Sequence, residues 1–209
     1  MKILKTITRK ELINFYLVSD RNKKNKPIPD GIDPLMWDDP NKLDEWLGKF
    51  EYKTGVITGF RQWAYVQISK EDFLDSAISD SIPQFKNKGQ RLRDLVGTKE
   101  FLAWKPKDSL PIWYDSLSKG VFDEKFAIIV RPACESEKRQ GAKFYIEDGS
   151  GRSICYLRSI LKIGKESKMT GYIGFDPDPM SNFLQEKLDG EFSRENRDKY
   201  LKIENILSQ

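Results

Sequence analysis

The stretch KFAIIVRP, residues 125–132, constrains the fold more than any other: five consecutive apolar residues, Phe126 to Val130, closed by Arg131 and Pro132. The run is too short for a buried helix and does not alternate, so it reads as a strand covered on both faces. Such a strand needs further strands beside it and helices packed on it. They follow directly in the chain. After the charged turn CESEKRQG (134–141) come a second strand, AKFYIED (142–148), a glycine-rich break, GSGR (149–152), and an apolar-periodic segment predicted as a helix from about Ser153 to Lys162. MTGYIGFDPDP (169–179) reads as a further short strand with an acidic turn.

Elsewhere helical patterns dominate. ITRKELINFYLVS (7–19) predicts a helix capped by Thr8, with Glu11 in capping-box register and Leu12, Phe15 and Tyr16 on one face. Residues 20–34 form a basic loop, and residues 38–55 predict a helix opening near Pro40 with Leu43, Trp46, Leu47 and Phe50 at helical spacing. A strand is expected around Trp63 to Ile68, then a helix from Ser69 that turns Phe73, Leu74, Ala77 and Ile78 inward. Trp63 and Tyr65 share a strand face, where they either pack in the core or stack a base. Residues 84–93 are basic without an acidic residue, which suits a solvated connection or a phosphate backbone. A helical turn is expected at Tyr114 to Ser118, and amphipathic helices broken at Gly190 over residues 181–207.

The fold class is therefore α+β, a mixed small sheet with surrounding helices and with N- and C-terminal helical elaborations. At 209 residues the chain reads as a single domain, 1–209, with an N-terminal elaboration (1–109), a core (110–180) and a C-terminal helical tail (181–209).

Composition narrows the chemistry. The chain has no histidine, which excludes Ser-His-Asp and Cys-His triads and His-ligated zinc. Reactions must run on carboxylates, Lys, Arg, hydroxyls, backbone amides or carboxylate-bound Mg2+. Cys134 and Cys155 are the only cysteines and read as buried thiols of a reducing compartment. A formal charge of +4 permits an anionic partner without demanding one. No run approaches the roughly 18 apolar residues of a membrane helix, and the charged N-terminus does not read as a secretory signal. A cytoplasmic protein is expected.

The break GSGR admits two readings. In one, Gly149 and Gly151 let a phosphate approach the backbone at the mouth of a helix, whose N-terminal N–H groups attract anions. Ser150 and Ser153 then add hydroxyls, and Arg152 a fork matched to phosphate oxygens. In the other, Gly149 takes a positive φ, Asp148 or Ser150 caps the helix, and Arg152 is solvated. Glu147 and Asp148, just before the turn, are the catalytic carboxylate candidates, each able to accept a proton, and Asp148 is the candidate Mg2+ ligand. Either also serves a plain structural role. Arg131 lies beside the same pocket or in a salt bridge to Glu135 or Glu147. Asp176 and Asp178, two apart across a proline, either share a cation or form a surface turn.

The order of LPIWYDSLSKGVFDEKFAIIVRP, a turn, and FYIEDGSGRSICYLRSIL resembles the core of the ParB/sulfiredoxin-like superfamily over about residues 110–162. Gly149, Ser150, Gly151 and Arg152 stand where ParB proteins have G-E-R-R and sulfiredoxins have G-C-H-R. The resemblance implies a site for ATP or CTP with Mg2+, in which Gly149, Ser150, Gly151, Arg152 and Ser153 contact phosphates. Members of that superfamily act as CTP-dependent DNA clamps, ATP-dependent sulfinic acid reductases, kinases and nucleases. Ser150 in place of the sulfiredoxin cysteine argues against the reductase chemistry. The functions expected are Mg-dependent phosphotransfer or phosphodiester hydrolysis; the alternatives are a DNA-binding, partition-like protein and an inert phage or mobile-element factor that grips a protein partner.

Overall fold

The computed structural model describes residues 1–13, 15–16, 55–78, 90–104, 126–163, 169–188 and 190–208. Residues 38–54 of the helix expected at 38–55, the loop at 20–34, the helical turn at 114–118 and residues 84–89 lie outside them. The described strands form a six-stranded mixed sheet in the order β1-β2-β6-β4-β5-β3. They are β1 (Lys2–Ile7), β2 (Phe60–Ile68), β3 (Ser76–Ile78), β4 (Ile128–Pro132), β5 (Phe144–Asp148) and β6 (Met169–Pro177), and the described helices from Gly55 to Ile163 are α1 (Gly55–Gly59), α2 (Lys70–Leu74), α3 (Leu92–Leu95), α4 (Lys99–Ala103), α5 (Glu135–Lys138) and α6 (Ser150–Ile163). The chain divides into two compact units, one of Met1–Leu4 with Tyr65–Ile173 and one of Lys5–Ala64 with Gly174–Gln209.

In the first unit every residue of β4 is buried, as its unbroken apolar run requires. β4 pairs antiparallel with β5 and parallel with β6, while β3 pairs parallel with β5. The β4–β5 register breaks between Ile129, opposite Asp148, and Val130, opposite Ile146. Glu147 is thus the extra residue of a bulge, a device that re-aims a side chain at the end of a ladder. The long helix α6 (Ser150–Ile163) follows, and its Tyr156 ring meets Phe73 edge-on at 4.8 Å.

Two expectations about this unit change. The helix opened by Ser69, whose hydroxyl oxygen accepts from Asp72 N, is only α2 (Lys70–Leu74). Ala77 and Ile78 belong instead to β3, because their backbone finds a parallel partner in β5. The charged turn after β4 contains a helical turn, α5 (Glu135–Lys138).

The second unit holds the N-terminal capping box: Thr8 N donates to the Glu11 carboxylate at 2.7 Å, and Glu11 N to the Thr8 hydroxyl at 3.2 Å. Its core is aromatic, with Phe60 against Trp63 and Phe192, and Phe192 against Tyr200, at ring separations of 4.5 to 5.9 Å. The tail is broken at Gly190, whose φ is +70°, as expected.

Candidate functional site

β5 delivers the chain to Gly149, whose φ of +100° is accessible to glycine alone at low cost. A Cβ there would lie 2.5 Å from Ile128 Cγ2. Immediately after it the helix α6 begins at Ser150, three residues earlier than the apolar periodicity predicts. The break GSGR is therefore a glycine in the cap position followed by a first helical turn, and Ser153 N donates the first helical bond to Gly149 O at 2.8 Å. A glycine offers no side chain to cap the amides that follow, and the first turn carries no acidic residue. Ser150 and Ser153 are buried, and the Ser153 hydroxyl finds no hydrogen-bond partner among the described residues. An orphaned polar atom at a helix mouth is where an anion gains most.

Arg152 is turned inward. Its side chain is 1% exposed, one terminal nitrogen donates to Ala127 O, and the other to an Asp148 carboxylate oxygen. Arg131 is equally enclosed but elsewhere. Its fork donates to both oxygens of Glu137 at 2.8 Å, its Nε to Glu147 at 2.5 Å, and one terminal nitrogen also to Pro132 O at 3.0 Å. Burial works against the Arg131 charge, but the Glu137 hydrogen bonds and the Glu147 charge outweigh it, and the guanidinium is held above its ordinary value.

The expected site residues thus fall into two groups. Asp148, Gly149, Ser150, Gly151, Arg152 and Ser153 come together at the turn, whereas Arg131 and Glu147 join a separate buried network. The partner that organises the latter, Glu137, escaped the sequence reading, which offered Glu135 and Glu147. Its signal is the spacing C-E-S-E: three residues past Cys134, the Glu137 carboxylate also accepts from Cys134 N at 2.8 Å.

The remaining candidates are engaged within the fold. Trp63 is fully buried, so it packs and does not stack a base. Tyr65 meets Tyr172 at 5.1 Å. Asp176 and Asp178 are buried rather than in a surface turn. Asp176 accepts from Arg197 at 2.8 Å, and Asp178 from Arg61 at 3.2 Å. Of the basic stretch, Arg91 is paired with Asp94, and Arg93 with Asp75 and Glu71. Among the described residues no group of three or more metal-ligating side chains is present, and no helix is long and apolar enough to cross a membrane.

No protein-family model, no curated protein and no solved structure matches this chain.

Proposed function

We propose that the Gly149 turn and the first turn of α6 bind the phosphates of a nucleotide of the ATP or CTP kind, in service of phosphotransfer or phosphodiester hydrolysis. The observation that carries this reading is the buried Ser153 hydroxyl, without a partner among the described residues, in the first turn of a helix whose cap is a glycine. The backbone order also supports it: two antiparallel strands, a glycine of positive φ and a helix without an acidic first turn. Residues 149–153 fit a phosphate through amides, the Ser150 and Ser153 hydroxyls and the positive end of the helix dipole. Mg2+ in this reading arrives with the phosphates, held mainly by their oxygens and by water, and supplies charge neutralisation. The paired state of Arg91 and Arg93 ranks this reading above a DNA-binding surface along residues 84–93.

The test is thermal stability with ATP or CTP and Mg2+, compared with Gly151→Asp. At a hundredfold excess over Kd a ligand stabilises by ~2.7 kcal/mol, a shift of roughly 5–10 °C for a chain of this size. Gly151→Asp improves helix propensity and suits the dipole, so the unliganded variant should be as stable or more so. Its carboxylate should nevertheless abolish the nucleotide shift. A wild-type protein unmoved by both nucleotides, or a variant that keeps the full shift, overturns the reading.

A further inference from the structure

An arginine that meets phosphate from solvent keeps its fork outward, with carboxylates at a distance. Arg152 does the reverse. Its two terminal nitrogens are divided between Ala127 O, one residue before β4, and Asp148, the last residue of β5. The guanidinium therefore ties together the ends of two neighbouring strands at the point where the chain enters the Gly149 turn. It also backs the turn itself, since a Cβ at Gly149 would stand 3.1 Å from Arg152 Nε. Asp148 is correspondingly occupied as the anchor of this bridge.

We propose that Arg152 is a positioning residue and Asp148 its anchor. The bridge from Ala127 O through Arg152 to Asp148 fixes the Gly149 turn and the first-turn amides of α6 in the geometry that meets a phosphate. Its bearing on ligand rests on the phosphate-binding reading above, and it assigns the two most suggestive charged residues of the turn to support rather than contact.

Substituting Asp148→Asn separates contact from support by sign. If Arg152 were the phosphate ligand, Asp148 would compete for it, and removing the carboxylate's charge would tighten nucleotide binding. If Arg152 positions the turn, the loss of its anchor loosens the turn and weakens binding. The experiment is calorimetric titration of ATP and Mg2+ into wild type, Asp148→Asn, Arg152→Lys and the double variant, at a temperature where each is folded. Folded-state affinity is a readout that lowered stability alone would not move. We expect a Kd weakened on the order of tenfold in Asp148→Asn, with Arg152→Lys similar because lysine lacks the fork, and the double variant no worse than either. Unchanged or tighter binding by Asp148→Asn overturns the assignment.

Hydrogen exchange of the unliganded protein gives a second reading that needs no ligand. Exchange of the Ser153 amide, which is hydrogen-bonded to Gly149 O, should accelerate in Asp148→Asn while the β4 amides stay protected. If wild type binds no nucleotide, the phosphate reading falls by itself, and this arm still decides the bridge: unchanged exchange of the Ser153 amide refutes it.

Discussion

Arg131 faces Tyr145 directly across the β4–β5 pair, its guanidinium carbon 4.2 Å from the centre of the tyrosine ring. With Glu137 held on both oxygens and Glu147 on Nε, this one side chain joins β4, β5 and the turn that connects them. An enclosed guanidinium with two carboxylates is a demanding arrangement, because any member left alone remains as an uncompensated charge in a poorly solvated place.

Arg131→Lys should therefore be costly although the charge is kept. A lysine offers one point charge where the fork served two carboxylates and a carbonyl. The loss should be ~3–5 kcal/mol, or roughly 10 °C in Tm for a chain of this length. Replacing Arg131 by Met together with Glu137 and Glu147 by Gln should cost less than the single lysine substitution, since no charge is then stranded. Denaturant unfolding of the two variants compares them; a lysine variant within about 1 kcal/mol of wild type contradicts the account.

Gly149→Ala probes the turn from the backbone side. A methyl group at φ +100° carries a strain of about 1–3 kcal/mol, and contact with Ile128 Cγ2 at 2.5 Å adds to it. Ile128→Ala in the same chain should relieve the contact and leave the backbone strain, so the double variant should be less destabilised than the sum of the singles. Additive losses in midpoint denaturant concentration would show that the methyl group does not meet Ile128.

Elements set by local pattern could be read in the sequence. β4 is an unbroken apolar run, and the capping box Thr8–Glu11 and the break at Gly190 are short-range signals. What escaped depends on partners distant in the chain. Ala77 and Ile78 sit at helical spacing from Phe73 and Leu74, yet β5, almost 70 residues on, draws them into a strand. Asp176 and Asp178 read as a solvated turn because Arg61, the partner of Asp178, lies 117 residues before it. Within the site, glycine and arginine at 149 and 152 were legible as types. Where Arg152 points was not, because Ala127 lies 25 residues away and nothing in GSGR shows that its carbonyl is the acceptor.

Asp72 should make stability depend on acid. Burial by itself would raise its pKa, but hydrogen bonds from the Met1 ammonium and the Ser69 hydroxyl, with the charges of that ammonium and Lys143, hold the carboxylate below its ordinary 3.8. The unfolded chain then takes up the proton first as pH falls. The contribution of Asp72 is complete above its unfolded value and disappears as pH drops through its lower folded value. Asp72→Asn should accordingly be destabilised at neutral pH and converge on wild type in strong acid. A stability gap between the two that stays constant from neutral to strongly acidic pH would contradict this.

Cys155 and Cys134 should both be unreactive in the native protein. Each is a buried free thiol, and burial raises both pKa values, that of Cys155 to about 12 even against the opposing charge of Arg158. Only the thiolate attacks a disulfide reagent, and with a pKa near 12 about one Cys155 in ten thousand is ionised at pH 8. Coverage adds to this, since a reagent must wait for a local opening of α6 before it meets the sulfur. Ellman's reagent at pH 8 should thus titrate well under one thiol per chain on the time it needs to titrate both after denaturation. Mass mapping should find the slow native reaction at Cys134 first, because Cys155 is 1% exposed and Cys134 6%. Prompt modification of Cys155 in the folded protein would mean that α6 opens far more readily than its buried face implies.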